Sequence, residues 1–195
     1  MAQYPQPYTT ASPILVSYDF TDISNGTGYE TYYLIESQDS VGKDHHLTPT
    51  QDYSNNAFIE QAGAGTKDYD YDLTEFIIPK TINGIVIISI AGVGLAGTVN
   101  ATFTIELYRY DGSSETQIGS TITYTVGLTT SGNMLYFRMP VTNELIPAGE
   151  QLRLRVSFAN ATGQTVRYGI DPVGRTSGNF ITTTSKIHVP YKLDN

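Results

Sequence analysis

The stretch Gln151-Leu152-Arg153-Leu154-Arg155-Val156-Ser157-Phe158 decides the fold. Leu152, Leu154, Val156 and Phe158 fall on one side of an extended chain, and Arg153, Arg155 and Ser157 fall on the other, because successive side chains of a strand point to opposite faces. One apolar face and one polar face make a strand whose sheet is buried on a single side, the habit of antiparallel sheets. Pro147-Ala148-Gly149 supplies the turn that leads into it.

The same alternation recurs outward from this point. Leu135, Phe137 and Met139 alternate with Tyr136 and Arg138. Ile122, Tyr124 and Val126 alternate with Thr121, Thr123 and Thr125, and Phe103, Ile105 and Leu107 with Thr102, Thr104 and Glu106. Each predicts a half-buried strand. Tyr110-Asp111-Gly112-Ser113 and Thr130-Ser131-Gly132-Asn133 provide the Gly and Asn of tight connections. Residues 84–91 are apolar on both faces, which predicts either a central strand covered on both sides or a strand at a subunit contact. No stretch has the 3.6-residue period of a three-turn amphipathic helix, and 26 Thr with 15 Tyr suit pleated surfaces. The expected fold is all-β: an antiparallel two-sheet, jelly-roll-like sandwich with an extended N-terminal arm. Residues 1–13 read as the arm because Pro5, Pro7 and Pro13 interrupt any pattern. Residues 14–69 read as short strands and loops joining the sandwich, with turns at Ser24-Asn25-Gly26, 52–56 and Gly63-Ala64-Gly65, and 70–195 as the main sandwich.

Composition narrows the function. The chain has 195 residues, 39% of them hydrophobic, with no Cys and no Trp and a net charge of −8. Disulfide frameworks, thiol nucleophiles and Cys-ligated zinc are thereby excluded. Acidity argues against binding nucleic acid, which needs Lys and Arg to displace condensed counterions. The most apolar stretch, 85–97, is short and broken by Gly92, Gly94 and Gly97, so no membrane span is expected. Residues 1–8 lack the basic start and apolar run of a secretory signal, which predicts synthesis in the cytoplasm. The charge is unevenly spread: residues 1–100 hold 12 acidic and 3 basic side chains, residues 101–195 hold 7 and 8, and all six Arg fall in the second part. Arg138, Arg153 and Arg155 occupy outward strand positions, where they pair either with carboxylates of the same sandwich or with a neighbouring copy.

Few residues suggest chemistry. Asp68, Asp70 and Asp72 share one strand face, but they lack the glycine and distal glutamate of a calcium loop, so a solvated edge face is the expectation. His45 and His46 would diverge on a strand and read as surface-loop residues, distant in sequence from His188. Asn25-Gly26-Thr27, Asn100-Ala101-Thr102 and Asn160-Ala161-Thr162 match a glycosylation pattern but read as turn asparagines. There is no G-x-S-x-G and no phosphate-cradling loop, so neither catalytic residues nor cofactor or metal ligands are expected.

The segment from Ile146-Pro147-Ala148-Gly149 through Leu152-Arg153-Leu154-Arg155-Val156 resembles a strand found in many jelly-roll and carbohydrate-binding-like sandwiches. With Tyr110-Asp111-Gly112 and Asp171-Pro172, the chain resembles the small β-sandwich structural proteins of tailed-virus (bacteriophage) particles, of decoration, cement or fibre type. The resemblance covers roughly residues 73–175 and is architectural. It implies a non-enzymatic virion protein without cofactor, most simply a capsid decoration protein. Such a protein would bind the major capsid or other virion proteins, as a homo-oligomer, through its arm and one sheet. Tyr4, Pro5, Pro7 and Tyr8 would anchor the arm, and Arg138, Arg153 and Arg155 would serve the sheet contact. The alternative is a carbohydrate-binding or receptor-binding sandwich, with Tyr69, Tyr71, Tyr108, Tyr110 and Tyr136 as platforms on which sugar rings stack.

Overall fold

Eleven strands account for nearly all the regular structure of the computed structural model, which describes residues 27–38, 43–50, 58–170 and 184–192. The arm with Tyr4, Pro5, Pro7 and Tyr8 lies outside the described residues, as do the turns at 24–26 and 52–56, Asp171-Pro172 and Arg175. In chain order the strands are β1 (Thr27–Gln38), β2 (Lys43–Thr48), β3 (Phe58–Gln61), β4 (Gly65–Asp72), β5 (Lys80–Gly94) and β6 (Val99–Tyr110). They continue with β7 (Glu115–Leu128), β8 (Asn133–Ile146), β9 (Gln151–Asn160), β10 (Val166–Gly169) and β11 (Lys186–Lys192). No helix occurs among the described residues.

The ladders form two layers. One runs β8-β5-β11-β1-β2 and the other β4-β9-β6-β7, antiparallel throughout. A single parallel bridge, His46 opposite Asp72, makes the hydrogen-bonded path continuous between them. β10 lies beside the end of β5 and carries β3 on its outer edge. Contacts between strands that share no ladder show the layers face to face. Phe103 and Phe158 meet the Tyr168 ring at 6.4 and 5.3 Å, and a Cβ added to Gly92 would lie 3.2 Å from Leu128. From β5 the chain crosses to the second layer for the β6–β7 hairpin, returns for β8, and crosses again for β9.

The alternation read from sequence is realised where both layers cover a strand. β9 and β6 bury Leu152, Leu154, Val156 and Phe158, and Phe103, Ile105 and Leu107, while the intervening residues stay half-exposed. The doubly apolar run 84–91 lies in β5, a central strand paired on both edges. Its inward Ile88 and Ile90 enter the main core, and its outward Ala91 and Val93 are covered by Phe58, Leu95 and Met134. The three quoted turns form, with Gly112, Gly132 and Gly149 at φ +89°, +74° and +83°, backbone that other residues rarely adopt. Asp111 Oδ1 accepts the N–H groups of Ser113 and Ser114 at 2.8 and 2.7 Å, and these donors hold its carboxyl below the usual range. Asn160 likewise closes a turn, its Oδ1 accepting Thr162 N–H at 2.9 Å, whereas Asn100 sits within β6 opposite Gly127 and is no turn residue.

β7 departs from expectation. Ile118 and Leu128 at its ends are buried, but Ile122 and Val126 are only half-buried and Tyr124 is 53% exposed. The cause is its position at the border of its layer, paired only with β6 among the described residues. At Gly119 the opposite layer comes close, since an added Cβ would sit 2.9 Å from Met139. Beyond that point the two layers leave a gap.

Candidate functional site

The outer face of the second layer is a charged ladder. Register places Asp72 opposite Arg153 and Asp70 opposite Arg155, and β6 sets Tyr108 opposite Arg153. Arg153 donates through Nε and Nη2 to the two oxygens of Asp72 at 2.6 and 2.7 Å. Arg155 does the same to Asp70 at 2.6 and 2.9 Å. Both guanidinium groups also donate to Glu115 Oε1, at 2.6 and 2.8 Å. Planar forks on carboxylates are the strongest geometry such pairs adopt, and the hydrogen bonds to Asp72 and Asp70 hold both arginines even more firmly protonated than usual. The Arg153 and Arg155 planes further cover the rings of Tyr110 and Tyr108, 3.7 and 4.9 Å from the centroids. The acidic and basic halves of the sequence thus meet within one chain. Asp70 and Asp72 face guanidinium groups rather than open solvent. Asp68 remains exposed.

The structure also relocates the histidines. His45 and His46 lie on strand β2, not on a surface loop, and His45 is enclosed, with Glu36 at 3.6 Å and the rings of Tyr69 and Tyr71 at 4.7 and 5.3 Å. His188, on β11, shares a 2.8 Å hydrogen bond between Nδ1 and Thr31 Oγ1, and burial followed by the nearby Lys186 charge holds its pKa below the ordinary value. Among the described residues no group of three His, Asp or Glu side chains is placed to hold a metal ion.

Of the five tyrosines expected as sugar platforms, four have their rings engaged elsewhere. Tyr71 is fully buried and hydrogen-bonded to Tyr168 at 2.8 Å, because Asp70 and Asp72 face outward and alternation turns Tyr71 inward. Tyr69 meets His45, and Tyr108 and Tyr110 lie beneath arginines. Tyr136 stays 69% exposed on β8.

Tyr136 borders a groove of about 380 Å³ in the gap between β7 and β8. Ile122, Tyr124, Leu135 and Phe137 form its apolar floor, Tyr124 meeting Phe137 edge-on at 6.5 Å, and Tyr136 and Arg138 stand at its rim. Aromatic walls with one convergent cation are the make-up of a small ligand site, and the volume is of the right size. Arg138 has no carboxylate within ion-pair distance among the described residues. The lining contains no carboxylate or imidazole. A second hollow, of about 400 Å³, lies at the opposite border around the His46–Asp72 bridge, lined by those two residues but by no Phe or Tyr. Sequence reasoning named Tyr136 and Arg138 but missed the groove and Tyr124, whose inward alternation signalled a core residue.

No family's sequence model matches the chain, and no curated protein matches it by sequence. In structure it is similar to a CocE/NonD family hydrolase of Staphylococcus aureus, at a TM-score of 0.59 and 8% identity over 86% of this chain. It is similar to an aminopeptidase of a marine-sediment Thaumarchaeota archaeon at a TM-score of 0.56 and 10% identity over 84% of this chain. The chain spans 37% of each of those two proteins. The enzymatically active domain of a bacteriophage CBA120 tailspike also aligns, at a TM-score of 0.34 and 10% identity over 77% of this chain and 20% of that one. The likenesses to the hydrolase and the aminopeptidase concern the fold alone.

Proposed function

We propose that the chain is a non-enzymatic binding module of jelly-roll build, and that a saccharide occupies the β7–β8 groove. The observation that carries this reading is the pair of exposed rings, Tyr124 and Tyr136, beside Arg138, which meets no carboxylate among the described residues. A pyranose has an apolar face to lay on a tyrosine and hydroxyls to accept from a guanidinium. The absence of acid–base groups from the lining speaks for binding rather than turnover. A glycan array followed by calorimetry on the best binder tests it: Tyr124→Ala and Tyr136→Ala should each weaken binding about tenfold while leaving the melting temperature unchanged. An array without hits sinks the reading.

A second reading is favoured by a separate observation. β7 and β8 are each 14 residues long, and among the described residues the outer edge of each is unpaired. Long open edges invite strand addition by a neighbour, which suits a structural part of a virus particle docking on capsid or other virion proteins as an oligomer. Sedimentation of the isolated protein, and particle association after removal of residues 1–12, test that reading. A monomer at all concentrations, together with association that survives the removal, counts against it.

A further inference from the structure

Charge is sorted between the two outer faces of the sandwich. Acids and arginines neutralise one another on β4, β9 and β7. On the other layer, the outward positions of β8, β5, β11 and β1 contain no carboxylate among the described residues; the carboxylates of that face lie beyond them, Glu60 on β3, paired with Arg167 of β10, and Asp44 on β2. They do contain Arg138 and Lys186, with Lys192 farther along β11, on a chain whose net charge is −8. A cationic patch without counter-charges beside it, on an acidic protein, is a surface whose partner brings the missing charge.

The register fixes the layout. Ile87 is flanked by Arg138 on one side and His188 on the other, and Ser89 by Tyr136 and Lys186. Two strand spacings separate the members of each pair, about 10 Å, and two residues along the strand separate the pairs, about 7 Å. Ser89 itself is buried, so what this rectangle offers are its corner side chains, spaced over roughly the footprint of two sugar rings, and it adjoins the groove through its shared corners, Tyr136 and Arg138. A flexible ammonium and a planar fork at opposite corners, with an aromatic face at a third, match a chain that alternates apolar ring faces with pendant anions. Lowered by burial, His188 is uncharged at neutral pH, so the attraction comes from Arg138 and Lys186.

We infer that the ligand is an acidic saccharide, whose ring stacks on Tyr136 and whose carboxylate groups are bound by Arg138 and Lys186 on the outer face of β8, β5 and β11. This rests on the saccharide reading above and names its chemical class. Polyphosphate chains fit less well: nucleic acid carries a charge at every nucleotide, and a net −8 protein with few cations on this face repels it more than it holds it.

Calorimetry with hexagalacturonate, a neutral galactose hexasaccharide and a single-stranded oligonucleotide tests the inference, with the wild type, Arg138→Gln, Lys186→Gln and Tyr136→Ala each checked for an unchanged melting curve. The expected result is that hexagalacturonate binds best and weakens with salt. Lys186→Gln should cost about tenfold for it and leave neutral-sugar binding unaltered, whereas Arg138→Gln should weaken both saccharides and hexagalacturonate the more. Equal binding of the two saccharides, insensitive to Lys186→Gln, overturns the acidic class and leaves the saccharide reading intact. Tighter binding of the oligonucleotide overturns the acidic class in favour of phosphate. Binding of no saccharide at all overturns both.

Discussion

Arg153 on β9 and Arg138 on β8 begin alike: each follows an inward apolar residue, points outward and has a tyrosine close by. Arg153 ends in a bidentate pair with Asp72 and beneath it the ring of Tyr110. Arg138 ends at a groove rim with no carboxylate beside it among the described residues, next to an open Tyr136 ring. The difference lies in the adjoining strands. β9 is flanked by β4, whose outward residues are Asp70 and Asp72, whereas β8 is flanked by β5, whose outward residues are Ile87 and Ser89. Alternation decides which way a side chain points; register with a distant strand decides whether it is consumed by the fold or left for a ligand.

The largest test concerns what joins the two layers. Tyr71 of β4 and Tyr168 beside β5 are both fully buried, and burial raises both well above the ordinary 10.0. Above pH 10 the unfolded chain loses these protons and the folded one keeps them, so stability falls as pH rises, by up to about 1.4 kcal/mol per unit per tyrosine. Cooperative unfolding should therefore coincide with the last part of the rise in tyrosinate absorbance, and ionisation of all 15 Tyr while the fold persists would contradict the joint described here. Next, Arg153→Ala removes the partner of Asp72 and half the support of Glu115 at a side chain only 13% exposed, and should cost about 2–3 kcal/mol in urea denaturation. Arg138→Ala should change stability by less than about 0.5 kcal/mol while reducing ligand affinity. Equal costs at the two arginines would erase the contrast. The smallest effect is that of His188. Its lowered pKa means that, as pH falls below the ordinary 6.5, the unfolded chain takes up a proton the folded one resists. Stability should decline modestly there until the depressed folded value is passed, and His188→Gln should flatten that part of the profile.

The sequence was legible where one rule sufficed. Period-2 patterns in β6 and β9 and glycines at three turns translated directly, because a strand between two others in a covered layer leaves its residues no choice of face. β7 carries an equally regular pattern, yet Tyr124 is exposed, since cover on its inward side comes from the other layer and stops short. His45 and His46 were read as loop residues because Lys43-Asp44-His45-His46 has no apolar alternation; β2 forms through its pairing with β1 instead. The pairs of Arg153 with Asp72 and of Arg155 with Asp70 join residues more than 80 positions apart, and nothing local selects Asp70 and Asp72 over other acids. Tyr71 was misjudged for a different reason: the outward run of aspartates already implied an inward tyrosine.

The pairing of β1 with β11 has a bearing on time. Thr27 faces Lys192 and Tyr33 faces Lys186, so the first described strand takes its place beside the last. The layer β4-β9-β6-β7 is complete once residue 160 has been made, but the seat between β5 and β1 stays empty until residues 186–192 arrive. Such long-range closure slows folding, and it sets an order in which the charged ladder assembles first and the cationic face last. Refolding followed by amide-exchange pulses would show β9 and β6 protected ahead of β1.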